Sequence, residues 1–213
     1  MRKIKRYELS GELRDFFDSV RFRDPSFKPT SWGSVTSMNR LLVGERYKKD
    51  DPQRKGQLVI PGGGIKENED YVQAAIREVK EETGIDANFF PAKRIKLYKL
   101  VEKFTGDIFQ YVLREDDKLL SVINPQDGKI YLHYKDTGKK YACCLVSLVP
   151  SDPFQEPKEN PESDVRNPRY ESLEWVKENL YLFTPACQIG VGLVLEDSGI
   201  YRFFRKDDLV IEM

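Results

Sequence analysis

The chain is poor in the residues that build disulfide-linked or zinc-binding folds. Its 213 residues include three cysteines and one histidine. Cys143, Cys144 and Cys187 do not have the spacing of a disulfide framework or of a zinc site. We therefore expect a core of apolar side chains, in a protein of the reducing cytoplasm.

Long apolar runs and an excess of one charge are also absent. No stretch approaches the roughly 18 consecutive apolar residues of a membrane-spanning helix. The basic N-terminus lacks the apolar segment of a secretory signal. Lysine plus arginine number 35, as do aspartate plus glutamate, so the formal net charge is zero. We therefore expect no membrane partner and no bulk attraction to nucleic acid.

The order of the predicted elements indicates one α/β domain over residues 1–213, a length that suits a single core. An N-terminal extension covers about residues 1–30, and a proline-rich stretch of about residues 150–169 is predicted to be a long loop. Between them we predict strands at 34–38, 41–46, 57–60, 95–104 and 107–114, helices at 70–83 and 184–196, and a hairpin at 129–149.

The most informative segment is residues 63–85, which begins at a glycine run and continues as a helix. Glycine permits a tight turn and the close approach of a ligand to the backbone. Four apolar residues that follow recur at helical spacing and form one buried stripe: Val72, Ala75, Ile76 and Val79. Gly84 is a typical stop signal, so the helix is expected to end just before it.

Three glutamates cluster near the end of this helix. Glu78, Glu81 and Glu82 fall on one face, where partly buried like charges repel by on the order of 1–3 kcal/mol per pair. A divalent cation would offset this repulsion, and Mg²⁺ commonly takes carboxylate ligands together with substrate phosphates. A solvated acidic face is the alternative interpretation, but it does not explain the flanking glycines or the positions of Glu69 and Arg77.

The whole segment resembles the Nudix box, G-x5-E-x7-R-E-U-x-E-E-x-G-U, where U is a bulky aliphatic residue. Every defined position matches, from Gly63 to Ile85. The resemblance implies a Nudix-type mixed β-sheet packed between helices in a single domain. It also implies an enzyme that uses Mg²⁺ or Mn²⁺ to cleave a nucleoside diphosphate linked to another moiety.

The resemblance assigns the metal ligands of this enzyme. Glu81 and Glu82 are expected to bind the metal, together with the backbone carbonyl of Gly62. Glu78 is expected to be either a further ligand or the general base. With such ligands, metal ions neutralise the diphosphate while a carboxylate takes a proton from the attacking water.

Other residues are expected to support the reaction. By the resemblance, Arg77 orients the glutamates and Glu69 holds Arg77. Arg46 follows an apolar strand, as a basic residue does in the family, and suits a substrate phosphate; a solvated strand end is the alternative. Some family members supply a further carboxylate from a late loop, for which the candidates here are Glu156, Glu159 and Glu162.

Three functions remain open at this stage. The intact box favours an active pyrophosphohydrolase, because a binding module that kept only the fold would be expected to have lost box glutamates. A hydrolase of non-nucleotide diphosphates, such as diphosphoinositol phosphates, would need a strongly basic pocket, which the neutral charge balance disfavours. The residues outside the box identify no substrate, and both capped RNA as a substrate and a homodimeric assembly remain open.

Overall fold

The computed structural model describes residues 15–16, 19–20, 24–89, 119–124 and 127–199. The strands predicted at 95–104 and 107–114 lie outside these ranges. The described strands are β1 (Lys28–Ser37), β2 (Arg40–Arg46), β3 (Leu58–Val59), β4 (Gly62–Gly64), β5 (Ala87–Phe89), β6 (Leu119–Asn124), β7 (Lys129–Tyr134), β8 (Lys140–Pro150) and β9 (Val165–Ser172). The helices of the same ranges are α1 (Tyr71–Thr83), α2 (Leu173–Glu178) and α3 (Pro185–Asp197), with short 3₁₀ turns at Pro52–Arg54 and Leu180–Leu182.

The strands form one mixed sheet in the order β3-β2-β1-β8-β7-β6. The central pair, β1 and β8, runs parallel, and the other pairs are antiparallel. Three short or late strands extend the sheet beyond this path: β4 pairs with β1, β5 with β8 and β9 with β2. The pairing of β4 with β1 carries the glycine run into the middle of the sheet, directly before α1.

Apolar side chains are buried on both faces of the sheet. Alternation along β2 places Leu42 in a cluster with Val79 of α1, and Leu41 in a second cluster with Ile189 of α3. Each such leucine, fully buried, stabilises the fold by roughly 1.5–3 kcal/mol. The predicted mixed sheet between helices in one domain is confirmed. None of the described helices is long and apolar enough to span a membrane.

Helix α1 is closed at both ends by its own sequence. Asp70 accepts a hydrogen bond from the backbone N–H of Gln73 at 2.8 Å, and the Gln73 side chain accepts one from the N–H of Asp70 at 2.9 Å. This capping box fixes the first turn. Gly84 ends the helix with φ of 70°, a left-handed conformation that glycine adopts without strain. The helix therefore occupies the predicted residues, and its register fixes which face the glutamates share.

Two strands begin elsewhere than the sequence pattern indicates. β1 starts at Lys28, although Pro29 gives that stretch the composition of a loop. β9 starts at Val165, inside the stretch predicted to be a loop up to residue 169, and it contains Pro168. The β2–β9 register shifts beside this proline, and Asn167 has φ of 48°. Such an irregularity accommodates a residue that cannot donate to the ladder.

The remaining part of that loop packs against the C-terminal end of α1. The side chain of Gln155 donates to the carbonyl of Gly84 at 2.9 Å, and the side chain of Asn160 donates to that of Glu81 at 2.8 Å. The backbone N–H of Lys158 donates to the carbonyl of Thr83 at 2.8 Å. The last carbonyl groups of a helix have no hydrogen-bond donor within the helix, so this loop supplies the donors.

Candidate active site

A cavity of about 400 Å³ lies beside β1 and β4, at the end of α1. Its acidic lining residues near the end of α1, here called the acidic end, are Glu78, Glu82 and Asp164. Three of its basic lining residues, here called the basic end, are Arg46, Arg54 and Lys139. The sheet and α3 add mainly apolar lining residues: Trp32, Leu132, Tyr134, Tyr141, Ala186 and Cys187.

Arg77 organises the box residues through five hydrogen bonds. Its Nε and Nη2 atoms donate to the two oxygens of Glu69 at 2.6 and 3.0 Å, a bidentate arrangement. Its Nη1 atom donates to Glu78 at 2.7 Å and to Glu81 at 3.0 Å, while Nη2 also donates to the carbonyl of Gly64 at 2.9 Å. The hydrogen bond from Arg77 lowers the pKa of Glu69 to about 2. One guanidinium therefore fixes three carboxylates and the backbone of β4.

The glycine run allows a side chain to approach the backbone closely and does not form a turn. Residues 62–64 form a strand and not the tight turn expected from the sequence. A Cβ atom built on Gly63 would lie 2.5 Å from Oε1 of Glu78, whereas one on Gly64 would meet nothing within 4 Å. The absence of a side chain at Gly63 therefore allows the Glu78 carboxylate to lie directly on the backbone of β4.

Glu82 is the buried carboxylate of the acidic end, with 7% of its surface exposed. It accepts a hydrogen bond from the backbone N–H of Gly62 at 3.0 Å. Burial, and after it the charge of Glu78, raises its pKa from 4.5 to about 8. Among the described residues, no lysine or arginine forms an ion pair with it. Its surroundings thus favour the protonated form of this carboxyl, and a bound cation would favour the ionised form.

Glu81 is placed differently from its two neighbours. Its side chain is 49% exposed and is held by Arg77 and by Lys66, whose Nζ lies 3.2 Å from Oε1 of Glu81. It does not line the cavity as Glu78 and Glu82 do. The structure therefore brings two of the three clustered glutamates into the cavity and leaves the third at its rim, joined to them through Arg77.

The donor chemistry of the acidic end fits a divalent cation. Over the described ranges, no three His, Cys, Asp or Glu side chains lie close enough together to hold a metal ion as they stand. Glu82 is nevertheless buried without a cationic partner, and Glu78 lies beside it in the same cavity. Carboxylate oxygens of this kind are the ligands that Mg²⁺ and Mn²⁺ prefer.

Arg46 lies in the cavity, as expected of a residue that meets the substrate, and it belongs to a cluster that the sequence did not reveal. Its Nε donates to Asp51 at 2.8 Å, and Nη1 of Arg54 donates to the other oxygen of Asp51 at 3.0 Å. The Arg54 guanidinium lies 4.6 Å from the ring centroid of Tyr134. Arg54 and Lys139 were missed because each becomes part of the site only when β2 and β7 are placed in the same sheet.

The late loop contributes a carboxylate other than those considered from the sequence. Glu156, Glu159 and Glu162 are not among the residues lining the cavity, and Glu159 accepts instead from the N–H of Asn167 at 2.8 Å. Asp164 lines the acidic end, 3.5 Å from Nζ of Lys48. No sequence signal singles it out, because it directly precedes β9, whose first residues were predicted to be loop.

Histidine and thiol chemistry do not belong to this site. His133 is a half-buried residue of β7 whose ring lies 5.9 Å from that of Phe16, away from the cavity lining. Cys143 does line the cavity, but burial raises its pKa to about 12. Its thiol stays protonated at neutral pH and is not a nucleophile. The reactive groups of the cavity are therefore its carboxylates.

Comparison with known proteins identifies relatives of this architecture. A family model described as the NUDIX domain matches residues 29–182. A NUDIX hydrolase from Nitrosomonas europaea is 14% identical, with a TM-score of 0.53 over 85% of this chain and 99% of its own. A NUDIX-family hydrolase from Clostridium perfringens is 15% identical, with a TM-score of 0.48 over 79% of this chain and 96% of its own. No curated protein matches.

A third similar structure is a bifunctional NMN adenylyltransferase/ADP ribose pyrophosphatase from Francisella tularensis, complexed with AMP and a Mn ion. It is 19% identical and has a TM-score of 0.49, over 87% of this chain and 46% of its own. At 14% identity, the Nitrosomonas europaea structure shows a shared fold, and the family model shows the relationship of the sequence.

Proposed function

Because the chain belongs to the Nudix family of pyrophosphohydrolases, we propose that it cleaves the diphosphate bond of a nucleoside diphosphate linked to another moiety, with Mg²⁺ or Mn²⁺ as cofactor. The observation that supports this most directly is the acidic end of the cavity. Glu78 and Glu82 lie there together, Arg77 holds Glu78 at 2.7 Å, and no lysine or arginine of the described ranges forms an ion pair with the buried Glu82. A cation bound with its diphosphate would stabilise the ionised form of Glu82.

The metal would be held by Glu82 and Glu81, with the Gly62 carbonyl and either Glu78 or Asp164 as additional donors. When bound, Mg²⁺ or Mn²⁺ neutralises the diphosphate and lowers the pKa of a water molecule. Asp164 is included because it is the late-loop carboxylate that lines the acidic end. Glu81 would have to leave its contact with Lys66, an exposed ion pair that costs little to exchange.

The reaction needs a base, and Glu78 is the residue best placed to act as one. Its carboxylate lies on the backbone of β4 and is held by Arg77, so its orientation is set before substrate arrives. It would take a proton from the attacking water, and the resulting hydroxide would attack one phosphorus in line. Arg46 would bind a phosphate oxygen through its Nη atoms, since Nε already donates to Asp51. No covalent intermediate is required.

Two alternatives are less well supported. A diphosphoinositol-type substrate carries many phosphates and would need a strongly basic pocket, yet the cavity is lined by four lysine or arginine residues and five aspartate or glutamate residues. A binding module without catalysis would have no need of the complete Arg77 network. The three free thiols of the chain suit a reducing compartment, so we place the enzyme in the cytoplasm.

The test is a substrate panel assayed with and without metal. ADP-ribose, NADH, coenzyme A, diadenosine polyphosphates, capped RNA and a diphosphoinositol phosphate are incubated with Mg²⁺ or Mn²⁺, and products are resolved by chromatography. We expect diphosphate cleavage of at least one nucleotide. It should disappear in excess EDTA and return when metal is restored, because the metal is proposed to neutralise the diphosphate and to activate the attacking water. Full activity in EDTA, or cleavage of the diphosphoinositol substrate alone, would contradict the proposal.

A further inference from the structure

We propose that the basic end of the cavity selects substrates in which the group joined to the diphosphate carries a further phosphate monoester, bound by Arg54 and Lys139. The inference rests on the proposed function, since it concerns the same cavity, and it specifies the substrate class. The substrate is then a nucleoside diphosphate derivative with a second phosphorylated position, away from the bond that is cleaved.

Arg54 lines the cavity, and its guanidinium is held in place by neighbouring side chains. Its Nη1 atom lies 3.0 Å from Asp51, and its guanidinium lies 4.6 Å from the ring centroid of Tyr134. Asp136 lies 4.0 Å from its Nη2 atom. A guanidinium fixed by an ion pair and an aromatic face loses little conformational freedom on binding, and its planar donors match a phosphate. Arg54 is therefore preorganised for an anionic ligand.

The two arginines of this end share one close carboxylate. Asp51 lies 2.8 Å from Nε of Arg46 and 3.0 Å from Nη1 of Arg54, whereas Asp136 is 4.0 Å from Arg54, at the distance limit of an ion pair. Burial by itself raises the pKa of Asp51, but the hydrogen bonds and charges of the two arginines hold it below its usual value. Asp51 therefore remains ionised, and Arg54 has a single close carboxylate partner, which it shares with Arg46.

Lys139 can add a second cation to this end of the cavity. It lines the cavity from the turn between β7 and β8, and its partner Asp50 lies 3.5 Å away. Both side chains are about half exposed, at 50% and 57%. Exposed ion pairs of this kind contribute little and exchange readily. A phosphate between Arg54 and Lys139 would replace that weak contact with a charge-assisted hydrogen bond.

The two arginines share Asp51 but have different further neighbours. Arg46 is the last residue of β2, opposite Val165, so it lies next to Asp164 of the acidic end. Arg54 lies on Tyr134, the last residue of β7, which packs edge-to-face on Tyr141 with centroids 6.0 Å apart. Arg46 can thus serve the diphosphate, while Arg54 serves a group beyond it.

The experiment compares substrates that differ by one phosphate monoester. Values of kcat/KM are measured for coenzyme A against dephospho-coenzyme A, and for NADPH against NADH, with Mg²⁺ or Mn²⁺. We expect the phosphorylated member of at least one pair to be preferred roughly tenfold or more, the usual effect of charge-assisted hydrogen bonds. Arg54→Gln and Lys139→Gln should each reduce that ratio to within about threefold.

The matched control is Lys55→Gln. Lys55 neighbours Arg54 in sequence, but its Nζ lies 4.5 Å from the ring centroid of Tyr47 and it does not line the cavity. Its variant removes the same charge from the same loop and should keep the wild-type ratio. Thermal denaturation checks that each variant is folded, and if Arg54→Gln does not fold, Lys139→Gln decides the outcome.

A binding measurement separates this inference from the proposed function. Calorimetry in EDTA compares adenosine 3′,5′-bisphosphate and adenosine 2′,5′-bisphosphate with AMP, for wild type and for the Arg54 and Lys139 variants. Tighter binding of a bisphosphate that is lost in the variants supports the inference even when nothing is hydrolysed, an outcome that contradicts only the proposed function. Hydrolysis without any preference between pair members overturns the inference alone. A preference that survives both substitutions also overturns it.

Discussion

The two ends of the cavity are assembled in different ways. The acidic end comes mainly from one stretch, residues 62–85, where Arg77 contacts residues one to thirteen positions away, from Glu78 next to it to Gly64. The basic end joins the loop after β2 to the turn after β7, through contacts such as that between Lys139 and Asp50. The groups proposed for chemistry thus depend on one helix and its flanking strand, and those proposed for selectivity depend on the whole sheet.

The largest expected difference between the ends is in the effect of removing a carboxylate. Glu82→Gln keeps the shape and the hydrogen bond from Gly62 but removes the charge proposed to hold the metal. We expect kcat to fall by at least about 10²-fold with the fold intact, as for other key electrostatic groups. Asp51→Asn is the comparison at the basic end, and it should raise KM far more than it lowers kcat. Equal losses of kcat in the two variants would remove the distinction between the ends.

The pH dependence of stability gives a second measure of the acidic end. Between pH 4.5 and about 8, folded Glu82 retains a proton that the unfolded chain releases. The free energy of unfolding of the metal-free protein should therefore fall as pH rises through this window, by on the order of 3 kcal/mol. Glu69 and Asp24, with pKa values of about 2, act in the opposite direction and only at lower pH.

Urea denaturation in EDTA at pH 5 and pH 8.5 measures this change. The stability of Glu82→Gln should change much less with pH across the same window, because the variant lacks the carboxyl whose pKa differs most between the folded and unfolded chain. Added Mg²⁺ should restore stability to the wild type at pH 8.5 and not to the variant, since only the wild type has the charge to bind it. A wild-type protein as stable at pH 8.5 as at pH 5 would show that Glu82 is ionised without a cation.

The next expected effect concerns the organisation of the acidic end. Arg77→Lys keeps the charge but loses the planar fork that bonds Glu69 at two atoms and Glu78 at a third. We expect kcat to fall about 10- to 100-fold, the usual effect of changing a group that orients ligands. Steady-state kinetics at saturating metal and a thermal melt, which should change less, measure the two effects. Normal turnover would leave Arg77 as a structural residue only.

The smallest of these effects distinguishes two adjacent glycines. In Gly63→Ala the new methyl group meets the Glu78 carboxylate, which is the flexible end of a side chain and can move aside. We expect kcat to fall roughly tenfold with little change in melting temperature, because a displacement of the order of 1 Å is costly for catalysis. Gly64→Ala is the matched control, since its methyl group meets nothing within 4 Å. Similar activity in both variants would argue against a fixed Glu78.

The sequence predicts the acidic end better than the basic end, because the contacts of the acidic end are local and those of the basic end are long-range. Arg77 and Glu69 are eight positions apart, within a pattern in which every position has a stated type, and their hydrogen bonds are present in the structure. Arg54 has no local signal of this kind, because Tyr134 and Asp136 reach it only through the sheet. Asp164 was overlooked in favour of nearby glutamates, since nothing in a run of charges shows which one faces a cavity.

The fold shows a similar division. Helix α1 and the N-cap of α3, where Thr184 accepts from the N–H of Cys187 at 3.4 Å and Pro185 follows, were predictable from caps and apolar spacing. The start of β9 was not, because Pro168 is a poor strand residue and only pairing with β2 keeps it extended. Local rules therefore predict helix ends well, whereas the pairing of distant strands overrides them.

The docking of the late loop on α1 has a consequence for how this protein tolerates change in length. Proline-rich surface loops usually accept insertions, but Gln155, Lys158 and Asn160 each hold a different carbonyl at the end of α1. Residues inserted between them would shift these donors away from their carbonyl groups. The loss of these hydrogen bonds would alter the last turn of the helix, which contains Glu81 and Glu82. The segment from Gln155 to Asn160 thus acts as the C-terminal cap of the helix. Insertions and deletions in this loop should therefore be tolerated only before Gln155.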